Sequence, residues 1–305
     1  TLMVKKDKNV IIILVYNDSQ SALNLLNNIE AYEELEKIIV VDNCSTDDSY
    51  DRLQKRRNEH IHVIKTQSND GIAAGNNFGA EYAKKVCPDV NNFIFSNPDV
   101  IVNSESIRAM TDFLATHKEA GAVCPMELTK EKEYAKDFAW HLPTYWQMVL
   151  SVNPIHTKLV QHSKKPYLWF YDIDEAIGKD IFWAEVIISC FIMIRRKEFE
   201  EVGGFSERTF LYHEEDVISY RFAQKGIKQA VLPKYKIIHL GCTSMNTTYK
   251  NWEKKSKILF DSSLIYLEDC LKVSKLGLSF YKGMYHLGVL ERKVFRKFMN
   301  KENEH

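Results

Sequence analysis

Residues 10–18 read VIIILVYND and residues 38–47 read IIVVDNCSTD. Each is an unbroken apolar run that stops at a short polar cluster, the pattern of a strand covered on both faces. Between them, Ser19 to Ala31 carries Ala22, Leu23, Leu25, Leu26 and Ile29 on one stripe, which predicts a helix. The alternation continues outward. Asp47 to Arg57 reads as a polar helix, Ile61 to Ile64 as a strand, Ile72 to Val86 as a helix and Phe93 to Phe95 as a strand. Ser104 to His117 follows as a helix with Ser104 placed to cap it, and Ala122 to Cys124 begins a fifth strand. Strands alternating with helices predict an α/β fold, a Rossmann-like, mostly parallel central sheet flanked by helices. In such a sheet ligands sit beyond the carboxyl ends of the strands. The polar residues that close each run are therefore the functional candidates.

Residues 127–182 interrupt this rhythm. Trp140, His141, Tyr145, Trp146, Tyr167, Trp169, Phe170, Tyr171 and Trp183 crowd there or at its edge. An aromatic, irregular stretch of this kind reads as a substrate-binding insertion or as a lid packed into a satellite core. The regular pattern returns with a strand over Ile187 to Ile194 and a short helix over Glu198 to Val202 that stops at Gly203–Gly204. A helix over Glu214 to Lys225 and two short strands, Val231–Leu232 and Ile237–Ile238, follow. Beyond Thr247 the pattern is helical. Eleven Lys/Arg stand against five acids between Lys250 and Met299, with Leu276, Phe280, Leu287 and Leu290 among them. A basic amphipathic tail can lie on an anionic membrane. Packing on the preceding domain or on a second subunit is the favoured alternative, because so much apolar surface must be buried somewhere.

The 305 residues hold 41 Lys+Arg and 41 Asp+Glu, a balance that speaks against nucleic-acid binding by bulk charge. Six scattered cysteines, with no CxxC pair, form neither a zinc cluster nor a disulfide framework and suit a reducing, cytoplasmic setting. Lys5, Lys6, Asp7 and Lys8 before a short apolar run do not read as a secretory signal, and no stretch has the ~18 apolar residues of a spanning helix.

Five positions carry chemistry. Asp42, at the end of the second run, is placed to accept hydrogen bonds from a ribose or a base; helix capping suits Asp47 better. The stretch NDGIAAGNNFG, residues 69–79, matches neither GxGxxG nor a P-loop, so Gly75 and Gly79 serve a close approach of helix to ligand or strand. Asn97-Pro98-Asp99 offers hard oxygen donors for Mg²⁺ or Mn²⁺ beside a diphosphate, or forms an ordinary turn. Glu214, Glu215 and Asp216 open a helix, either as favourable N-terminal charge or with one of them as a general base. His239 follows a short strand, as a structural histidine or a metal ligand.

In this order the clusters resemble the family 2 glycosyltransferases of GT-A fold, in the bacterial rhamnosyltransferase-like branch. The matching stretches are IIILVYND, IIVVDNCSTDDS, NDGIAAGNNFGAEYA, FIFSNPDVIV, FWAEVIISCFIMIRRKEFEEVGGFSE, TFLYHEEDVISYRFAQKGIK and IIHLGCTS, between about residues 10 and 244. The resemblance implies a glycosyltransferase domain over residues 1–246, with 127–182 as an acceptor-side insertion and 247–305 as a helical, basic extension. It implies nucleoside contacts from Tyr16, Asn17, Asp42, Asn69 and Gly75. Asn97 and Asp99 stand at the DXD position, with Asp99 and His239 toward the metal, and Trp183 toward the acceptor. Glu214 and Glu215 stand at the ED position. Counting back from Arg221 selects Glu215 as the base, with Asp216 as a second candidate.

The activity implied is inverting, metal-dependent transfer from a nucleoside-diphosphate sugar, dTDP-rhamnose or a UDP-hexose. The acceptor is a saccharide, which in such enzymes is often lipid-linked. The setting is surface polysaccharide assembly in the cytoplasm, with the inner membrane face as a second location and the C-terminal helices as an oligomer contact. A nucleotidyltransferase would carry a glycine-rich basic loop after the first strand, where Tyr16-Asn17-Asp18-Ser19 has neither Gly nor Lys. A non-catalytic nucleotide-sugar-binding protein would have lost the acids, yet Asp42, Asp99 and Glu215 are present.

Overall fold

A computed structural model describes residues 7–153, 169–241 and 251–302. Its centre is a nine-stranded sheet in the order β3-β2-β1-β4-β10-β6-β11-β5, with β8 also on β11. The strands are β1 (Asn9–Val15), β2 (Leu35–Asp42), β3 (Ile61–Lys65), β4 (Asn92–Ser96), β5 (Val100–Ile101), β6 (Ala120–Leu128), β8 (Phe182–Ala184), β10 (Phe191–Arg195) and β11 (Lys228–His239). β1, β2, β3 and β4 run parallel, as the apolar runs predict, and β6 and β11 form a second parallel pair. β10 is antiparallel to both β4 and β6 and joins the two halves. Because β10 enters the sheet beside Ser96, the residues just before it lie at the carboxyl ends of its neighbours.

Both faces are covered. α1 (Ser19–Ile29), α2 (Ser49–Gln54) and α4 (Ser104–Thr116) bury Leu25, Leu26, Leu53, Met110 and Leu114 against one face. α3 (Ile72–Val86) covers the other with Ala73, Ala80 and Ala83. Gly75 and Gly79 allow that approach. A Cβ on Gly75 would sit 2.4 Å from Leu14 Cδ1, and one on Gly79 2.4 Å from Ile12 Cγ2. Gly75 lies in the first turn of α3 and packs on Leu14, with the Asn43 side chain also beside it.

Three local expectations are corrected. α4 is capped by Asn103, whose side chain accepts from Ser106 N, and Ser104 is the first helical residue. The expected strand over 187–194 is broken. Val186–Ile187 is β9, paired with β7 (Ala139–Trp140) in a separate two-stranded sheet, and β10 starts only at Phe191. The two short strands near the end are one strand, β11, whose register slips between Leu232 and Lys236. Pro233 lies in that slip, where a missing N–H removes no ladder bond.

Inside the insertion lie α5 (Tyr145–Ser151) and α6 (Ile173–Ala176); α7 (Arg196–Glu201) follows β10. Tyr167 lies outside the described residues, as do Cys242 and the change of pattern at Thr247. The other five cysteines are free. After α8 (Glu214–Gln224) the C-terminal helices are α9 (Trp252–Asp269) and α10 (Lys275–Glu302). They form a separate core with α5 and α8, built on Val217, Phe260, Tyr266, Tyr281 and Tyr285. Among the described residues no helix is long and apolar enough to cross a membrane.

Candidate active site

The strand ends gather most of the sequence candidates. Asp42, closing β2, is fully buried. One carboxylate oxygen accepts from Ser45 N at 3.1 Å and lies 3.6 Å from Lys65 Nζ. The other, Oδ1, is buried without a partner among the described residues. A buried acceptor with no donor is costly unless a ligand supplies one. Beside it, Asn17 adopts a left-handed φ of 53°. Its side-chain oxygen accepts from Thr46 N at 2.8 Å and its amide donates to Thr46 Oγ1 at 3.1 Å. Asn17 thus ties the loop after β1 to the loop after β2, and the half-buried Tyr16 precedes that tie. Asn69 accepts from Asn43 Nδ2 at 3.0 Å and from Gly71 N at 3.2 Å. Its side-chain oxygen braces the loop before α3. Gly71 has φ 101° and presses on the Phe210 backbone, with Ile72 N donating to Phe210 O at 2.9 Å. The loop before α3 is thereby fastened to the segment that leads into the acids of α8.

Across the sheet, Asp99 is buried and its Oδ1 lies 3.3 Å from His239 Nε2. Asn97 Nδ2 is 3.4 Å from the same nitrogen. The other ring nitrogen, Nδ1, lies 2.8 Å from Glu127 Oε1. Burial works against a charge on His239, but hydrogen bonds with Asp99, Cys190 and Glu127 outweigh it and raise the pKa. Glu127, Cys190 and His239 also lie together, their ligand atoms within 4.8 Å. Burial pushes the Cys190 thiol up, so it stays neutral and is a poor partner for a hard cation. The donors that fit Mg²⁺ or Mn²⁺ are the Asp99 carboxylate and His239 Nε2, with Nδ1 held by a carboxylate as metal-binding histidines commonly are.

The acids of α8 separate by role. Tyr212 and His213 are both left-handed, with φ of 72° and 63°, and the helix starts directly after them. Consecutive non-glycine residues in this region are strained and are held by their surroundings. The C-terminal helices supply that hold: Ser262 Oγ donates to Leu211 O at 2.8 Å, and the Tyr266 ring stacks on His213. Asp216 is committed on both oxygens, accepting from Trp140 Nε1 at 2.7 Å and pairing with His213 Nδ1 at 2.6 Å. It anchors the insertion, with both oxygens engaged. Glu214 is buried with Oε2 unpartnered among the described residues. Burial, then the charge of Glu215, raises its pKa well above the ordinary value. Glu215 is half-buried and accepts from Ser189 Oγ at 2.5 Å. Burial raises its pKa too, against the Ser189 hydrogen bond that lowers it. Of the three acids, Glu215 is the partly exposed one. Arg221, the counting point, clamps the Gly203–Gly204 turn by donating to Gly204 O at 3.0 Å.

Trp183 is set apart from the rest. β8 pairs it with Ala230, near the start of β11, whereas His239 closes that strand. Its ring packs beside Phe113 and His117 of α4. Trp140, by contrast, does meet the acids, through Asp216. Beside His213, a cavity of about 200 Å³ opens between α5, α9 and α10, lined in part by Met148, Phe260, Tyr281 and Tyr285.

Sequence reading passed over Glu127 and Ser189. Glu127 had a usable signal, an acid after a buried apolar run, the same one that singled out Asp42. Ser189 had none, because it sits inside what reads as one continuous strand.

A Rossmann-like sheet with an acid-lined carboxyl edge is the architecture of GT-A nucleotide-sugar enzymes. A sequence profile described as glycosyl transferase family 2 matches residues 10–203. The chain belongs to glycosyl transferase family 2. It is 27% identical over 221 residues to a low-salt glycan biosynthesis hexosyltransferase of Haloferax volcanii, covering 71% of this chain and 62% of that protein. It is 24% identical over 229 residues to a dTDP-rhamnosyl transferase of Shigella flexneri, covering 75% and 67%. The crystal structure of GalNAc-T7 with UDP, GalNAc and Mn²⁺ shares the fold at a TM-score of 0.58 and 15% identity, over 79% of this chain and 45% of that one. The chain thus spans less than two thirds of the hexosyltransferase and under half of GalNAc-T7.

Proposed function

We propose that the protein transfers a sugar with inversion from a nucleoside-diphosphate donor, dTDP-rhamnose or a UDP-hexose, to a saccharide acceptor in glycan assembly. The observation that carries this reading is a set of three acids, each held differently, at the ends of the strands and at the helix that follows them. Asp42 has an unpaired buried oxygen, Asp99 faces His239 Nε2, and Glu215 is held by Ser189.

Asp42 accepts hydrogen bonds from the nucleoside. Asp99 and His239 hold Mg²⁺ or Mn²⁺, which when bound supplies positive charge against the diphosphate. Glu215 takes the proton of an acceptor hydroxyl while that oxygen bonds to the anomeric carbon. The bond from that carbon to the diphosphate oxygen breaks in the same displacement, so configuration inverts. Asp216 and Trp140 position the insertion over this step. The burial that raises the pKa of Glu215 also makes it a better proton acceptor.

Thermal shift with dTDP, UDP and GDP, each with and without Mn²⁺, tests the reading. One nucleotide with Mn²⁺ should stabilise the protein by about 2.7 kcal/mol at a hundred times its dissociation constant. Stabilisation by none of them overturns it. Product analysis by NMR with the stabilising nucleotide's sugar then checks inversion at the anomeric carbon.

A further inference from the structure

The last helix has two apolar faces, and among the described residues one of them is buried. Tyr281 and Tyr285 of α10 are buried, stacking on Phe260 of α9 with centroids 5.6 and 3.9 Å away. On the other side Leu276, Phe280, Leu287, Leu290 and Val294 are exposed, Leu276 at 84% and Leu290 at 61%. With Gly283 they recur at alternating steps of four and three, which on a helix is a single row. Trp146 of α5, 65% exposed, extends the row through an edge-on contact with Phe280 at 6.3 Å. Single exposed apolar residues are ordinary, but a contiguous row of six marks a contact surface.

The charges beside the row identify what it meets. At about 100° per residue, Lys275, Lys282, His286 and Lys293 fall in one line along one flank. Lys293 is paired with Glu253 at 2.8 Å, whereas Lys275 and Lys282 have no acid partner among the described residues. We propose that this outer face of α10, with Trp146, docks flat on an anionic lipid bilayer. The apolar row enters the acyl boundary and the lysines reach back to headgroup phosphates. A second copy of the chain fits less well. The row runs for fewer than three heptads, short of the three to four a coiled-coil seam needs, with Gly283 at its middle. A two-fold contact would also place the same basic flank on both partners.

The test uses the full chain and no sugar nucleotide, so it stands or falls separately from the transferase reading. Co-sedimentation with phosphatidylglycerol–phosphatidylethanolamine vesicles should pull down the protein, and pure phosphatidylcholine vesicles should not. Raised salt should weaken binding. The triple variant Phe280→Glu, Leu287→Glu, Leu290→Glu should stay in the supernatant with an unchanged melting temperature, and Lys275→Glu with Lys282→Glu should bind more weakly. If the triple variant melts early, Trp146→Ser alone, which should reduce sedimentation, replaces it. No sedimentation of the unaltered chain, or sedimentation unaffected by these variants, overturns the proposal. So does a dimer by light scattering that the triple variant abolishes while no vesicles are bound.

Discussion

Glu127 and His239 are joined by a 2.8 Å contact from carboxylate oxygen to Nδ1, and this contact decides which nitrogen of His239 faces Asp99. The second oxygen of Glu127 is buried without a partner among the described residues, an arrangement that costs stability. A carboxylate kept at such cost beside a candidate ligand fits a positioning role.

Glu127→Ala should therefore weaken Mn²⁺ binding by about 10–100-fold, and Glu127→Gln, which still accepts from Nδ1–H, by less. Calorimetric titration of Mn²⁺ in the presence of dTDP or UDP measures this. Asp99→Ala should abolish metal-dependent turnover and keep the fold. Unchanged Mn²⁺ affinity in both alanine variants would remove Asp99 and His239 from the metal site.

Glu215→Gln removes the proton acceptor and keeps the shape, so transfer should fall by roughly 10²–10⁴ with donor binding nearly unchanged. Asp216→Asn should act differently, because its oxygens hold Trp140 and His213. Its loss should appear first as a lower melting temperature. A dead Asp216→Asn beside a fully active Glu215→Gln would reverse the assignment.

The pH profile carries a sign. Burial raises the pKa of Glu215 and the Ser189 hydrogen bond lowers it. A base must be deprotonated, so transfer should rise with pH along an acidic limb placed above the ordinary carboxylate value of 4.5. Ser189→Ala removes the lowering contact and should move that limb to higher pH. A limb that stays in place in rate profiles of Ser189→Ala would mean that Glu215 is not the titrating base.

Glu214 should make the protein less stable as pH rises. Its folded-state pKa lies above the unfolded value near 4.5, so the folded chain binds that proton more tightly. Its contribution is fully present below the unfolded value and is lost as pH climbs through the folded one. Glu214→Gln removes this dependence, and its melting temperature should drop less than that of the unaltered chain between pH 5 and pH 8. Parallel melting curves would show that Glu214 stays ionised in the fold.

Asp42→Ala should lower nucleotide affinity more than it slows transfer, since an unpaired buried contact is worth about 1–3 kcal/mol. Nucleotide titration of the variant measures it, and equal affinity would place the nucleoside elsewhere.

The parallel half of the sheet, and Asp42 and Asp99 at its edge, are legible in the sequence. Buried strands must be continuously apolar, so the polar residue that ends each run is visible without coordinates. The start of a helix at Glu214 is legible as well, since three acids before an apolar-periodic stretch mark a helix N-terminus. What only the tertiary structure decided comes from contacts far apart in the chain. The break at residues 188–190 is marked by no Gly or Pro, yet it brings Ser189 to Glu215, 26 positions away. The pairing of β8 with β11, remote in sequence, carries Trp183 away from the acids, while Trp140, 76 positions before Asp216, reaches them. Glu127 and His239 meet because β6 and β11 are neighbouring parallel strands that end at the same edge. The tail's periodicity marks apolar positions on α10 but not which of them are spent on α9, because burial belongs to the packed pair and not to either helix alone.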